Sequence, residues 1–246
     1  MKRYLAAAML LLALSGCGSS GSSAQLYTTT EDFFAMDTYM SVDVSSEKSE
    51  SAAENMAIKI EQRVNQLDAA LSCTQQAGDL YKLNHANGQP TEVSDDTYTA
   101  LEKALEYAEM TNGAFDPTMA PLTDLWGIGT DHQKLPSQSE IDAALQTVGT
   151  AHVHENGDAV TLDLGSKIDL GGIAKGYAAD LCADILKSAD ADGLLVLGGN
   201  IYAVGTNEGK DWNIGIADPD DNTDSIAVVS LRDGSVVKVG GQAVLG

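Results

Sequence analysis

The chain has 246 residues, a formal net charge of −22 and a hydrophobic content of 43%. That length suits one large domain or two small ones, and the apolar content is enough for a packed core. So acidic a body repels phosphate backbones and anionic lipid, which excludes nucleic-acid binding; an anionic ligand would need a cation, a helix start or a placed lysine.

Lys2 and Arg3 precede an uninterrupted apolar run from Leu5 to Leu14, and Ser15-Gly16 lead into Cys17. About 10 apolar residues are too few to span a bilayer, which takes roughly 20, and have the length of a cleaved export signal. We expect residues 1–16 to be a lipoprotein signal peptide and residues 17–30 a lipidated, flexible tether, with Cys17 as the lipidation site. The Gly/Ser stretch from Gly18 to Ser23 fits such a spacer. The expected location is the extracytoplasmic face of a cell membrane, held by a lipid anchor. Residues 31–246 form the remaining domain.

Phe33 to Val44 reads as a strand entered from a turn, with Met36-Asp37-Thr38 at its start. Ser51 to Leu71 reads as a helix, because Ala53, Met56, Ile60, Val64, Leu67 and Leu71 keep helical spacing and Ser51/Glu54 fit a capping box. A second helix is expected from Ser94 to Asn112, with Tyr98, Leu101, Leu105 and Ala108 on one face and Gly113 as its C-terminal cap. A shorter helix begins at Ser137, three residues before Glu140. His152–Glu155 and Ala159–Leu164 read as strands joined through Asn156-Gly157. A strand is expected to end at Leu170, and Gly172–Lys187 reads as a helix. Four strand-like runs follow: Leu194–Leu197, Ile201–Val204, Trp212–Ile216 and Ile226–Leu231. Early helices and late strands give an α+β class, with a mostly antiparallel sheet in the second half. Cys182 falls on an apolar helix face and reads as a buried thiol. His152 and His154 share one strand face without a third ligand nearby, so zinc is not expected there.

Three segments exceed what local structure requires. Met36-Asp37-Thr38 is the first. In the second, Gly113-Ala114-Phe115-Asp116-Pro117-Thr118, a carboxylate and an aromatic ring are expected to be exposed together in a turn. The third, Asp169 to Asp180, turns the chain on Gly171-Gly172 into a helix carrying Lys175 in its first turn. That helix end prefers negative charge, so a lysine there points to a bound phosphate. The loop lacks the Gly-Lys-Ser/Thr ending of a Walker A motif.

In this order, the three segments resemble the FAD:protein FMN transferase (ApbE) family along nearly all of residues 34–231. Leu71-Ser72, Asp79 to Asn84, Leu125-Trp126-Gly127, Gly198-Gly199-Asn200 and Trp212 to Pro219 add to the resemblance. It implies an ApbE-like α+β fold and FAD contacts from Met36, Ala114, Phe115, Asp116, Asp169 and Lys175. It also implies a Mg²⁺ ligand at Gly172, which would have to be the carbonyl oxygen. The implied reaction is Mg²⁺-dependent transfer of FMN from FAD to a Thr or Ser hydroxyl of a target flavoprotein, with release of AMP. The alternatives are Mg²⁺-dependent hydrolysis of FAD to FMN and AMP, and a flavin-binding lipoprotein without chemistry. Two departures from the family pattern stand out. Many members carry an aromatic residue where this chain has Thr74. Members also continue beyond Gly246 into a segment that supplies an Asp/Thr pair to the magnesium site. A shortened copy with weak FAD binding, near-background transfer and a tendency to aggregate is therefore expected.

Overall fold

The computed structural model describes residues 25–218 and 225–237. Cys17, the expected export signal and most of the expected tether lie outside the described residues.

The first two strands, β1 (Tyr27–Ala35) and β2 (Thr38–Ser46), form one antiparallel hairpin. Residues 33–44 are therefore not the single strand expected from sequence. Ala35 pairs with Thr38, and the chain reverses on Met36 and Asp37, both in the left-handed region at φ 49° and 58°. A two-residue turn with positive φ at both positions matches the twist of the flanking strands. It usually carries Asn and Gly, which is why the sequence did not announce it.

The 22-residue helix α1 (Glu50–Leu71) buries Ala53, Ala57, Ile60, Val64, Leu67 and Leu71. Its cap is Ser49, which accepts from the Ala52 N–H; Ser51 lies inside the first turn. The short helix α2 (Asp79–Asn84) follows, then β3 (Thr91–Glu92) and α3 (Asp95–Met110). Ser94 caps α3. At its other end Asn112 and Gly113 are both in the left-handed region, at φ 52° and 79°. The Gly113 N–H reaches Ala108 O and the Asn112 N–H reaches Glu109 O, the paired bonds of a Schellman ending.

A 3₁₀ turn over Pro117–Met119 leads into α4 (Ala120–Trp126), and α5 (Gln138–Leu145) starts with the expected Ser137/Glu140 capping box. Strands β4 (Val153–Asn156) and β5 (Ala159–Leu162) pair across Gly157-Asp158, one residue later than the expected turn. The long helix α6 (Gly171–Ser188) follows. The remaining strands are β6 (Asp192–Leu197), β7 (Asn200–Val204), β8 (Trp212–Ala217), β9 (Ser225–Leu231) and β10 (Gly234–Val237).

The main sheet runs β1-β2-β6-β7-β10 with every pair antiparallel. The α+β class holds, but the sheet is not confined to the second half, because the N-terminal hairpin supplies two of its five strands. Met40, Val42 and Val44 on β2 alternate inward beside Leu195 and Leu197 on β6, and α1 and α6 cover that face. Smaller sheets, β3-β5-β4 and β8-β9, flank this body. Cys182 is buried in α6, and burial pushes its thiol up to about 12, so it acts as a packing residue.

One half-buried polar contact joins the helical layer. The Arg63 guanidinium donates to both carboxylate oxygens of Asp96 at 2.6 and 2.5 Å, and the Tyr177 hydroxyl donates to the same carboxylate at 3.4 Å. Helices α1, α3 and α6 thus share one bidentate ion pair.

The approach to α6 is not a strand. Residues 163–170 join no sheet, and Ile168 is held by a side chain instead. Asn84 Nδ2 donates to Ile168 O, and the Ile168 N–H donates to Asn84 Oδ1, both at 2.7 Å. The Asp169 N–H then donates to Pro117 O at 2.8 Å. Asn84→Ala leaves the Ile168 N–H without an acceptor and its carbonyl with only the weak Cys73 thiol bond, which is expected to destabilise the fold by about 1–3 kcal/mol. Chemical denaturation measures this. An unchanged midpoint would mean that Asn84 does not hold the segment.

Candidate functional site

Two clefts open on either side of the α6 start, and both include Gly171 and Lys175. The first, of about 660 Å³, has mixed polar and apolar walls: Met36, Asp37, Tyr81, His85, Asp124, Lys167 and Asp169 among others. The second, of about 530 Å³, is more apolar, with Tyr107, Phe115, Gly172, Ile173 and Asn200.

The helix start between them is built from short-range contacts. Leu170 stands at the N-cap without a side-chain bond, and its carbonyl accepts from the Ile173 and Ala174 N–H groups. Asp169 Oδ1 accepts from the Gly171 N–H at 2.7 Å, placing a carboxylate where the helix dipole favours one. Among the described residues the Gly172 N–H has no protein acceptor. Gly172 also permits a close approach: a Cβ there would stand 2.9 Å from the Phe115 ring. Any side chain at this position must displace Phe115. The Gly172 carbonyl belongs to the first helical turn and faces the ladder bond to the next turn, which leaves one lone pair for another partner.

The structure brings together most of the residues expected from sequence. Met36, Asp169 and Lys175 line the first cleft; Phe115, Gly172 and Lys175 line the second. Ala114 and Asp116 line neither. Asp116 is half-buried instead of exposed, because it caps the 3₁₀ turn: its Oδ1 accepts from the Thr118 N–H at 2.8 Å and the Thr118 hydroxyl at 2.5 Å. The buried Thr118 hydroxyl in turn accepts from the Gly149 N–H at 2.7 Å. Asp116 therefore shapes the Phe115 turn, whatever its remaining oxygen contacts.

Two cations face the first cleft. Lys167 is tied to Asp124 at 2.5 Å, whereas the Lys175 ammonium has no hydrogen bond or ion pair among the described residues. Tyr81, His85 and Lys167 were not singled out from sequence, since nothing in their local pattern marks them. The resemblance does place Tyr81 inside the matching Asp79–Asn84 stretch.

Outside the clefts, Asp163 accepts from His152 Nδ1 at 2.9 Å and from His154 Nε2 at 2.8 Å. These two hydrogen bonds hold the Asp163 carboxyl below the usual range. The partner of the two histidines comes from beyond the paired strand, so strand periodicity could not reveal it. Among the described residues no three His, Cys, Asp or Glu side chains are arranged to hold a metal ion.

Cys73 also lines the first cleft. Burial pushes its thiol up to about 12; the charges of Asp169 and Asp124 add to this and Lys167 opposes it. The neutral thiol donates to Ile168 O at 3.5 Å. Iodoacetamide at pH 8 should therefore alkylate Cys73 at least about a hundredfold more slowly than a free cysteine, because only the thiolate reacts. Labelling at the free-thiol rate, followed by mass spectrometry, would show an ionised cysteine and contradict this.

Comparison with known proteins agrees with this geometry. The family model of the ApbE family matches residues 36–243. A FAD:protein FMN transferase of Treponema pallidum is 32% identical over 96% of this chain and 71% of its own length. One from Vibrio cholerae is 28% identical over 89% of this chain; the chain spans 66% of that relative. Among solved structures, the ApbE protein of Thermotoga maritima superposes with a TM-score of 0.79 at 33% identity, covering 85% of this chain and 69% of that one. The flavin transferase ApbE of Vibrio cholerae gives 0.75 at 25% identity, over 85% and 70%.

Proposed function

The chain belongs to the ApbE family, and from that premise we propose that it transfers FMN from FAD to a Thr or Ser hydroxyl of a target flavoprotein and releases AMP. The observation that carries the reading is the meeting of two clefts over the first turn of α6, with an unpaired Lys175 and an open Gly172 N–H at the junction. A dinucleotide has two ring systems joined by a pyrophosphate. Its rings suit the two clefts and its charge suits the junction, where a helix start and a lysine offer the positive partners an anion needs.

In this reading Lys175 and the Gly172 N–H bind and orient the pyrophosphate. Asp169 fixes the Gly171 turn through its bond to the backbone. Phe115, packed against Gly172, walls the second cleft. The acceptor hydroxyl oxygen bonds to the FMN phosphorus and gives up its proton to solvent, the bond from that phosphorus to the bridging oxygen breaks, and AMP leaves with that oxygen. Mg²⁺ held on the pyrophosphate supplies charge neutralisation. With a net charge of −22 on the protein, neutralisation of an incoming dinucleotide is a first requirement.

We also propose that Cys17 carries a lipid anchor and that the domain works on the extracytoplasmic face of a membrane. The support is the Lys2/Arg3 start, the apolar run and Cys17. Among the described residues no helix is long and apolar enough to cross a bilayer. Cys17→Ser should abolish lipid labelling and release the protein from membranes; a wild-type protein that takes up no lipid label would remove this part of the reading.

The chemistry is tested by incubating the chain with FAD, Mg²⁺ and a flavoprotein acceptor. Covalently labelled acceptor plus AMP is the expected outcome; free FMN plus AMP would make the protein a hydrolase, and unchanged FAD would make it a binder. Lys175→Ala is expected to weaken FAD binding by about 1.5–3 kcal/mol, the worth of a charged hydrogen bond. Calorimetric titration giving equal affinities for both proteins would take the pyrophosphate away from this junction.

A further inference from the structure

We propose that Tyr81 and His85 form a stacking platform for a planar heteroaromatic ring of the dinucleotide in the first cleft; the proposal rests on the FAD reading above. The two residues are one helical turn apart on α2, and their rings lie nearly parallel, with centroids 3.9 Å apart and planes 19° apart. Both line the first cleft, the same cleft that contains Lys167, Asp169 and Lys175. The platform thus shares one cavity with Lys175, the cation assigned to the pyrophosphate.

The pair is not spent on folding. On α2 it is Leu80 and Leu83 that enter the core, while Tyr81 is half-buried and His85 exposed. The Tyr81 hydroxyl makes no hydrogen bond among the described residues. The rings are nevertheless held in place. His85 Nδ1 lies 2.7 Å from Tyr81 O, and a carbonyl can only accept, so the proton sits on Nδ1 and fixes the imidazole against the phenol. The helix beneath is pinned at both ends. Asp79 Oδ2 accepts from the Ser94 N–H at 2.9 Å and the Thr97 hydroxyl at 3.2 Å, and Asn84 holds Ile168. Rings ordered in advance lose little conformational freedom when a third ring adds to the stack. Flat heterocycles of any identity gain from stacking on an aromatic face, so adenine and isoalloxazine are both candidates for the ring.

The test is a titration of the full chain with FAD and Mg²⁺, read by flavin fluorescence and calorimetry, with FMN and ADP as separate arms. Tyr81→Ala should weaken FAD binding roughly tenfold or more, while Tyr81→Phe, which keeps the ring, stays within about twofold of wild type. His85→Ala should produce a smaller loss, and checks the platform without altering Tyr81. The same Tyr81→Ala loss must reappear with one half of the dinucleotide: with FMN if the flavin stacks, with ADP if the adenine does. Equal FAD affinity for wild type and Tyr81→Ala overturns the platform, as does a loss shared by Tyr81→Phe or one seen in neither arm. A wild-type protein without FAD affinity overturns the functional reading and this proposal together.

Discussion

The paired bonds between the Asn84 side chain and the Ile168 backbone are the constraint on which the site depends. A segment leaving a sheet and entering a helix must satisfy its backbone groups somewhere, and here no neighbouring strand is available. One amide side chain substitutes for that strand by donating and accepting at once. The consequence extends in both directions. Upstream, it joins α2 to the core segment; downstream, it sets where Asp169 and the α6 start emerge. Both walls of the first cleft, α2 and the Asp169–Lys175 turn, are therefore referenced to a single residue.

Electrostatics make the second condition. Acidic residues outnumber basic ones 36 to 14, so few cations are available to line a binding site. Most of the lysines and arginines with a described partner are engaged with carboxylates: Arg63 with Asp96, Lys134 with Glu140, Lys167 with Asp124, Arg232 with Asp211. Lys175, like Lys59, Lys82, Lys103 and Lys210, makes no ion pair among the described residues, and of these five it is the one that lines both clefts. As the fifth residue of α6 it stands just past the first turn, where the partial positive charge of that helix end offers it no favourable partner. In the proposed reading, an incoming phosphate is the partner that this lysine takes.

Much of the fold was legible because it rests on long periodic segments. Helix α1 and helix α3 announce themselves through repeated small and branched apolar residues, and α5 through a capping box. The failures have common causes. The β1–β2 turn was hidden because Met36-Asp37 occupies a conformation normally given to Asn-Gly. A strand was expected to end at Leu170, although the backbone bonds of Ile168 run to a side chain and that of the Asp169 N–H to the Pro117 turn. Elements of six or seven residues, α2 and α4, are too short to show a period. At the site, the glycine turn and Lys175 were legible because they contradict local preference. Asp116 looked functional for the same reason, yet its oxygen caps Thr118. Tyr81 and His85 contradict nothing locally, and their meaning comes from the cavity they share with residues nearly a hundred positions away.

The hairpin tip carries a consequence for anyone seeking a hardier version of this protein. A methionine held at φ 49° is strained, and glycine or asparagine would sit there more comfortably. Stability screening would therefore favour replacing Met36 with Asn and Asp37 with Gly. Met36 and Asp37 both also line the first cleft, so that substitution would remove two cleft-wall side chains while improving the turn. Thermal tolerance and ligand capture are opposed at this pair of positions, and selection for heat resistance alone would drift toward a robust protein with a damaged binding surface.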